Sequence, residues 1–245
     1  MAWLAGFALL FLIISSLLSL TINVSLAEGG TTVGGQITSN TTWTKANSPY
    51  IVTSNLLVPK GVTLTIEPLA VVKFDSGKMM QIDGCLIARG TETEIVTFTS
   101  NQLYPKPGDW KGIEFTSSSI KATYDAEGNY INGSIMKYCS IKYGGDHYTA
   151  ALKITKASPH IDHCNITNNS YTGIYVENSR LNITNSNIRY NNLGSAAYYV
   201  GYYGGGIYVS GGEVVIRGNT ISNNLARLGG GGIFTGNAVV LISNN

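Results

Sequence analysis

The 245-residue sequence is poor in charge, and it has only three cysteines and three histidines. Asp, Glu, Lys and Arg make up 12% of it, about half the usual share for a globular protein. The formal net charge of +2 gives no case for electrostatic capture of nucleic acid, which is therefore not an expected partner. Val, Ile and Leu are plentiful, so the composition does not predict a disordered chain.

Helical periodicity is also lacking past residue 50, which excludes a fold of alternating strands and helices. Short apolar runs fill this region, and they recur at a regular spacing. Ile166 in "NITNN" is matched by Ile188 in "NIRYNN", and Ile188 is matched by Ile221 in "TISNN". The second step is longer than the first, and the insertion 193–203 accounts for the difference. This repeat of strands predicts an all-β solenoid, a right-handed parallel β-helix of about 22–25 residues per coil.

The repeat also predicts which residues stack on one another. The unit "I-x-x-N" places Ile inside and Asn at a corner, where its side chain can hydrogen-bond along the axis. Arg180 aligns with Glu213, which predicts an ion pair between adjacent coils. The segments "EVVIRGNTI" (213–221) and "AVVLISNN" (238–245) align at an offset of 25. The glycine run 229–232 precedes the same strand as "YGGGIYV" (203–209), so it is interpreted as a corner and not as a phosphate loop.

Segment 43–115, with "LLVPKGVTLTIEPLAVVKF" and "GDWKGIEF", resembles the opening coils of right-handed parallel β-helix repeat proteins of the pectin-lyase-like superfamily. The later units, 188–233, resemble the repeats of polymorphic outer-membrane and adhesin-type proteins. The family typically has Glu-Pro-Gly where this chain has Glu67-Pro68-Leu69. The resemblance implies the fold, but it leaves the activity open, because this superfamily contains lyases, hydrolases, adhesins and accessory proteins.

The chain divides into three predicted segments. Residues 2–22 carry no charge and are followed by small residues at Ser25 and Ala27, so 1–27 is interpreted as a signal peptide or an uncleaved membrane anchor. Residues 28–47 are predicted to be a polar linker or N-terminal cap, and 48–245 the β-helix. No capping turn is recognisable at the end, and we expect the natural chain to continue past residue 245.

No catalytic set and no cofactor site are predicted. After Asp146 the acids are Asp162, Glu177 and Glu213, and Glu177 aligns with Ser210, so the acids do not stack into a catalytic face. The histidines lie with two aspartates in "GGDHYT" (144–149) and "PHIDHC" (159–164). These residues form either a metal or acid–base site or ordinary corners of one coil. The candidate metal ligands are Asp146, His147, His160, Asp162 and His163.

Three further features are candidate sites. Insertion 193–203 carries four tyrosines that either contact carbohydrate or a partner, or fold back onto apolar surface: Tyr198, Tyr199, Tyr202 and Tyr203. Cys139 and Cys164 fall one coil apart, where they form either a disulfide or two buried thiols. Asn40 and Asn132 lie in loop-like sequons and are candidate glycosylation sites.

These observations predict an exported β-helix protein, secreted or at the cell surface, with a structural, adhesive or carbohydrate-contacting role. Polysaccharide or cell-surface components are the expected partners, and membrane contact is expected only through residues 2–22. Two alternatives stay open. One is a polysaccharide lyase or hydrolase whose active face is partly missing. The other is a periplasmic metal-handling accessory that resembles the β-helical maturation protein of the nitrous-oxide reductase copper site.

Overall fold

The computed structural model describes residues 29–146, 150–192 and 203–245. The predicted signal peptide or anchor therefore lies outside the described residues. Strands and one 3₁₀ turn, Lys45–Asn47, make up the regular structure of the described part. No helix in these ranges is long and apolar enough to cross a membrane.

The strands are short, as the broken apolar runs predict. In chain order they are β1 (Thr31–Gln36), β2 (Thr41–Trp43), β3 (Tyr50–Val58), β4 (Thr63–Ile66), β5 (Val71–Phe74), β6 (Met79–Ile82), β7 (Cys85–Arg89), β8 (Val96–Ser100), β9 (Gly112–Phe115), β10 (Thr123–Tyr124), β11 (Tyr130–Asn132), β12 (Ile135–Lys137), β13 (Cys139–Lys142), β14 (Leu152–Thr155), β15 (His160–Asp162), β16 (Asn165–Thr167), β17 (Ile174–Thr184), β18 (Asn187–Arg189), β19 (Ile207–Arg217), β20 (Thr220–Ser222) and β21 (Ile233–Ser243).

Nineteen of these strands join through parallel pairings, and the pairings fall into three columns, one for each face of the coil. The first sheet runs through β5, β8, β13, β16, β18 and β20. The second runs through β6, β9, β14 and the first halves of β17, β19 and β21. The third runs through β4, β7, β12, β15 and the second halves of β17, β19 and β21. The predicted parallel β-helix is confirmed.

The core is a set of apolar columns along the axis. In the first sheet, Val72 pairs with Phe98, Phe98 with Ile141, and Ile141 with Ile166, and all four are fully buried. The column continues through Ile188. Each fully buried aliphatic side chain contributes ~2 kcal/mol through the hydrophobic effect. The steps from Ile166 to Ile188 and from Ile188 to Ile221 are those predicted from the sequence.

The chain turns most of its corners through a residue in the left-handed conformation. Between the third and first sheets, this position is occupied in successive coils by Tyr138, His163, Asn185 and Gly218, with φ between 49° and 69°. Asn and Gly adopt this conformation at the least cost, which explains their abundance at corners. Leu69, with φ 63°, stands at the same corner of an earlier coil. It replaces the glycine that the resembling family has after Glu-Pro.

A buried ladder of asparagines closes the corner between the first and second sheets. Asn169 and Asn191 are completely buried. The Nδ2 atom of Asn169 donates to Oδ1 of Asn191 at 2.8 Å, and Asn191 donates to Asn224 at 3.0 Å. Each Nδ2 also donates to a backbone carbonyl of the preceding coil, at 3.3, 2.9 and 2.8 Å. The predicted Asn stacking is confirmed, and these amides fix the register of adjacent coils.

The glycine run 229–232 is the corner before β21, as the sequence predicts. Gly206 of the preceding coil donates its N–H to Gly231 at 2.9 Å, and Ile207 donates to Gly232 at 2.9 Å. A Cβ atom on Gly206 would lie 2.5 Å from the carbonyl oxygen of Gly232. Glycine is needed here because two stacked backbones approach too closely for a side chain.

The solenoid begins earlier than residue 48. Strand β1 pairs in parallel with β3, and β2 pairs with β4, so most of the segment 28–47 is already the first coil. Of the two predicted possibilities, a polar linker or an N-terminal cap, these pairings favour the cap. Five of the six residues of β1 are exposed. Among the residues that the structure describes, this coil has a neighbour on one side only, and β1 does not show the alternation of apolar and polar residues that identifies later strands.

The register of the last coil differs by one position from the predicted offset of 25. Val215 pairs with Leu241, and Ile216 pairs with Ile242. The backbone N–H of Asn219 donates to Asn245 Oδ1 at 2.9 Å, so Asn245 continues a second Asn ladder. The error arose because "VV" occurs in both segments, and matching the two pairs directly shifts the alignment by one position.

The buried Asn ladder gives the first prediction. Asn191→Ala removes hydrogen bonds to the amides of Asn169 and Asn224 and to a backbone carbonyl, and leaves buried polar groups unpaired. Since each such group costs ~1–3 kcal/mol, we expect the free energy of unfolding to fall by about 3–5 kcal/mol. Chemical denaturation measures this loss. Asn187→Ala, which removes the outward bond to Asn165, is the control and should cost less than ~1 kcal/mol. Equal losses would contradict the role of the ladder.

Candidate functional site

An aromatic column runs along the outer face of the second sheet. Tyr175 pairs with Tyr208 and Tyr208 with Phe234, so one ring from each of three successive coils lies on this face. The ring centroids are 5.0 Å apart for the first pair and 5.4 Å for the second. Their planes are inclined by 50° and 75°, which makes the surface corrugated. The three rings are half-buried, so each retains an exposed part.

Tyr203 widens this column on one side. Its ring stacks on Phe234 with centroids 4.4 Å apart and lies 6.1 Å from the ring of Tyr208. A Cβ atom on Gly229 would lie 3.1 Å from both Tyr203 and Phe234, so the glycine run borders the aromatic surface. Tyr203 therefore packs onto the sheet, as one of the two sequence interpretations expected. Tyr198, Tyr199 and Tyr202 lie outside the described residues.

The charges on this face are few and partly paired. Lys153 of β14 pairs with Tyr175 of β17, so it lies one coil before the first ring of the aromatic column. Its Nζ atom lies 2.9 Å from Oε1 of Glu114. Glu177, two residues after Tyr175, accepts a hydrogen bond from Thr155 at 3.3 Å. Burial raises the pKa of the Tyr175 phenol, and the nearby Glu177 carboxylate raises it further. The phenol is therefore neutral over the physiological range.

A repeated sequence pattern marks this aromatic column, although its three residues were not among the site residues predicted from the sequence. "GIYV" (173–176), "GIYV" (206–209) and "GIFT" (232–235) repeat an aromatic residue at one position. The preceding Ile faces the core in the first two units, and alternation along a strand turns the next side chain outward. Register and alternation together are sufficient to predict an outward aromatic column.

A second cluster centres on Asp162 in the third sheet. Lys137 Nζ lies 2.9 Å and His163 Nδ1 2.8 Å from Asp162 Oδ2. The side chains of Thr184 and Asn185 donate to Asp162 Oδ1 at 2.8 and 2.9 Å. Burial alone would raise the pKa of this carboxyl, but these four contacts outweigh it and hold the pKa well below its usual range. The carboxylate links three successive coils.

His160 is covered by a hairpin inserted between the second and third sheets. The hairpin pairs β10 with β11 in antiparallel fashion. Tyr124 of β10 places its hydroxyl 3.2 Å from His160 Nδ1, and the ring of Tyr130 lies 5.5 Å from the imidazole. His160 Nε2 is 4.0 Å from Asp162 Oδ2. Burial lowers the pKa of His160 and outweighs the opposing effect of Asp162, so the imidazole is neutral near pH 7.

A groove of about 580 Å³ lies between this hairpin and the outer face of the third sheet. Tyr124 forms part of one wall, and Val215 and Leu241 line the opposite side. Arg180 and Glu213 also line the groove, and Arg180 Nε lies 3.1 Å from Glu213 Oε2, which confirms the predicted pair between adjacent coils. Both side chains are more than half exposed, so the pair contributes little to stability.

The five candidate metal ligands are only partly brought together. His160, Asp162 and His163 lie on one strand and its corner. Asp146 lies in the connection between β13 and β14, at a different corner of the coil, and His147 is outside the described residues. Within the described ranges, no group of three His, Cys, Asp or Glu side chains is arranged to hold a metal ion. Metal binding stays a prediction, and equilibrium dialysis tests it.

The three cysteines are free and buried. Register places Cys139 beside Cys164, as predicted, because Ser140 pairs with Asn165. The two thiols contact backbone carbonyl oxygens, Cys139 Sγ that of Ala88 at 3.4 Å and Cys164 Sγ that of Met136 at 3.3 Å. Burial raises the pKa of Cys139 well above its ordinary value, and Cys164 raises it further. In the structure both cysteines are buried free thiols, which is the second of the two possibilities that the sequence left open, a disulfide or two buried thiols.

The two candidate glycosylation sites are exposed. Asn40 lies before β2, and its Oδ1 atom accepts a hydrogen bond from the backbone N–H of Thr63 at 2.9 Å. Asn132 is at the end of β11 in the hairpin. Exposure permits modification at both positions, and glycosylation stays a prediction.

The pairing of the strands and the buried columns define a parallel β-helix with an aromatic outer face. A family model described as a right-handed β-helix region matches residues 111–245, and one described as a pectate-lyase-like β-helix domain matches residues 35–154. Since the first match covers more than half of the chain, the chain belongs to the right-handed β-helix family. The family match confirms the predicted handedness.

One curated relative shows a partial similarity. The protein bark beetle of Drosophila melanogaster is 36% identical over 86 residues, which is 33% of this chain and 3% of that protein. The chain thus spans a small part of the length of the relative it matches. No solved structure matches the chain.

The Asp162 cluster gives the second prediction. Asp162→Asn should lower the free energy of unfolding at pH 7 by ~2 kcal/mol, because it removes the charge that pairs with Lys137. The pKa of Asp162 is depressed in the folded state, so its contribution is present above the ordinary carboxyl pKa of ~3.9 and is lost as the pH falls. Denaturation at pH 7 and pH 3 measures both effects.

Glu213→Gln is the matched control for this prediction. It breaks the exposed pair with Arg180 and should cost less than ~1 kcal/mol. Both variants are measured with and without a chelator. A purely structural role predicts the same loss in each condition. A loss for Asp162→Asn that appeared only when metal was present would contradict that role.

Proposed function

We propose that this chain is an exported β-helix protein, secreted or held at the cell surface, that binds polysaccharide through the aromatic column of its second sheet. The observation that carries the proposal is the alignment of Tyr175, Tyr208 and Phe234, one ring in each coil. Aromatic faces combine a large apolar area with little loss of conformational freedom, and they pack well against the apolar faces of sugar rings.

Two further features support the proposal. Residues 2–22 lack charge and are followed by small residues, which favours export. The aromatic rings are also fixed in place, because Tyr208 contacts both of its neighbours in the column and Phe234 is stacked on Tyr203. A surface that is rigid before binding loses little conformational entropy when it binds a ligand.

The enzymatic alternative is favoured by a different observation. Tyr124 lines the groove beside the hairpin, and its hydroxyl contacts the neutral imidazole of His160. Burial raises the pKa of Tyr124 and lowers that of His160, and a contact between two such groups, one of which lines a groove, is a common arrangement for acid–base chemistry. This site lies on the third sheet, so the two functions can be separated by mutation.

The third prediction concerns binding. In affinity electrophoresis through gels that contain cellulose derivatives, xylan, glucomannan or polygalacturonate, the protein should be retarded by at least one polysaccharide. Tyr208→Ala removes the central ring and should reduce the retardation, with an apparent loss of affinity of about tenfold. Circular dichroism is used to check that the variant keeps its strand content.

Tyr104→Ala is the matched control. Tyr104 is 85% exposed in the loop between β8 and β9 and is not part of the aromatic column, so its removal should leave the retardation unchanged. Equal retardation of Tyr208→Ala and the wild type would contradict the proposal, as would the lack of retardation by every polysaccharide. Release of soluble sugar that is abolished by Tyr124→Phe would favour the enzymatic alternative.

A further inference from the structure

The spacing and charge of the aromatic column indicate which polysaccharide it binds, given the proposed function. We infer that the ligand is a neutral, extended β-1,4-linked glycan that lies along the axis of the solenoid, with one sugar ring on each coil. The inference depends on three properties of the described face: its repeat distance, its charge and its shape.

The repeat distance is set by the stacking of the coils. Adjacent parallel strands are ~4.8 Å apart, and the observed centroid distances of 5.0 and 5.4 Å follow that spacing. An extended chain of equatorially linked pyranoses advances by nearly the same distance for each ring. A glycan parallel to the axis therefore keeps in step with Tyr175, Tyr208 and Phe234. A chain that crossed the sheet would contact only one of these rings.

The charge of the face disfavours an acidic glycan. On the outer side of the second sheet, the strands β9, β14, β17, β19 and β21 carry Glu114, Lys153 and Glu177. Lys153 is already paired with Glu114 at 2.9 Å, so of these three charged side chains Glu177, next to Tyr175, is the one without an ion pair. A uronic acid placed over these rings would meet like charge and no unpaired lysine or arginine in the described strands of this sheet.

The shape of the column suits an extended chain. The ring planes are inclined to one another, by 50° between Tyr175 and Tyr208 and by 75° between Tyr208 and Phe234. Successive sugars of an extended β-1,4-linked chain are turned over relative to one another, so they present opposite ring faces to the protein in turn. Tyr203, stacked on Phe234, supports the sugar at the end of the column from the side.

Polar groups lie close enough to the rings to contact sugar hydroxyls. Ser210 is the coil-to-coil partner of Glu177 and follows Tyr208 by two residues. Both face outward beside the aromatic column, and both are only partly buried. Such groups add hydrogen bonds at the edge of each sugar ring while the aromatic residues contact its face. None of these contacts requires a charged ligand.

Isothermal titration calorimetry with soluble oligosaccharides tests the inference. Cello-oligosaccharides of two to six sugars are compared with oligogalacturonates of the same lengths, at low and high salt. We expect the affinity for the cello-oligosaccharides to rise up to a length of three to four sugars and then to level off, because three coils carry the rings. The affinity should not change with salt, and oligogalacturonate should bind at least tenfold more weakly at low salt.

Two variants sharpen the test. Tyr208→Ala should weaken binding of the longer cello-oligosaccharides by about tenfold and abolish the dependence on length. Glu177→Gln keeps the shape of the side chain and removes its charge, so it should strengthen oligogalacturonate binding several-fold relative to its effect on cello-oligosaccharide binding. Tyr104→Ala again serves as the control, because it removes an exposed aromatic ring that is not part of the aromatic column.

The outcomes separate this inference from the proposed function. If oligogalacturonate binds as tightly as the cello-oligosaccharides and Tyr208→Ala weakens it, the aromatic face binds polysaccharide but the inferred glycan is wrong. If affinity for cello-oligosaccharides is the same at all lengths, the axial orientation is wrong. If neither series binds, the inference is contradicted, and the proposed function is contradicted as well only if every polysaccharide in the gel assay also fails to retard the protein.

Discussion

The register between adjacent coils is the constraint on which the rest of this molecule depends. A parallel β-helix has no turn of fixed length that sets how one coil lies on the next. Buried amides supply the register here, because Asn169 and Asn191 each bond both to the next asparagine and to the backbone of the preceding coil. A coil displaced by one residue would leave these groups unpaired inside the protein, at a cost of ~1–3 kcal/mol for each.

Because the register is fixed, outward-facing residues at equivalent positions of successive coils lie next to one another. Tyr175, Tyr208 and Phe234 are far apart in the chain, yet they form one column on the second sheet. The same constraint brings Lys137, Asp162 and Thr184 from three successive coils into one polar cluster. The insertions are accommodated at the corners, where they leave the stacking unchanged and add the hairpin that covers His160.

Much of the fold could be predicted from the sequence, because each coil must place apolar residues in the core and asparagines at the corner at the same positions as its neighbours. The Ile columns, the Asn corner and the pairing of Arg180 with Glu213 were predicted from spacing alone. The alternation of apolar and polar residues is weak in β1, so residues 28–47 were predicted only as a linker or N-terminal cap, whereas the strands of the described part begin at Thr31. The partners of Asp162 were missed, because Lys137 and Thr184 belong to other coils and no local pattern marks them.

The residues of the aromatic column can be predicted from the sequence repeat, but their function cannot. An outward ladder of rings can stabilise a solenoid, and it can also bind a sugar chain, so the distinction must come from the ligand. Saturation-transfer difference NMR with cellohexaose, in which the aromatic protons of the protein are irradiated, tests this most directly. The account predicts strong transfer to the axial ring protons of several internal sugars and its loss in Tyr208→Ala. Transfer confined to one terminal sugar, or equal transfer in the variant, would contradict it.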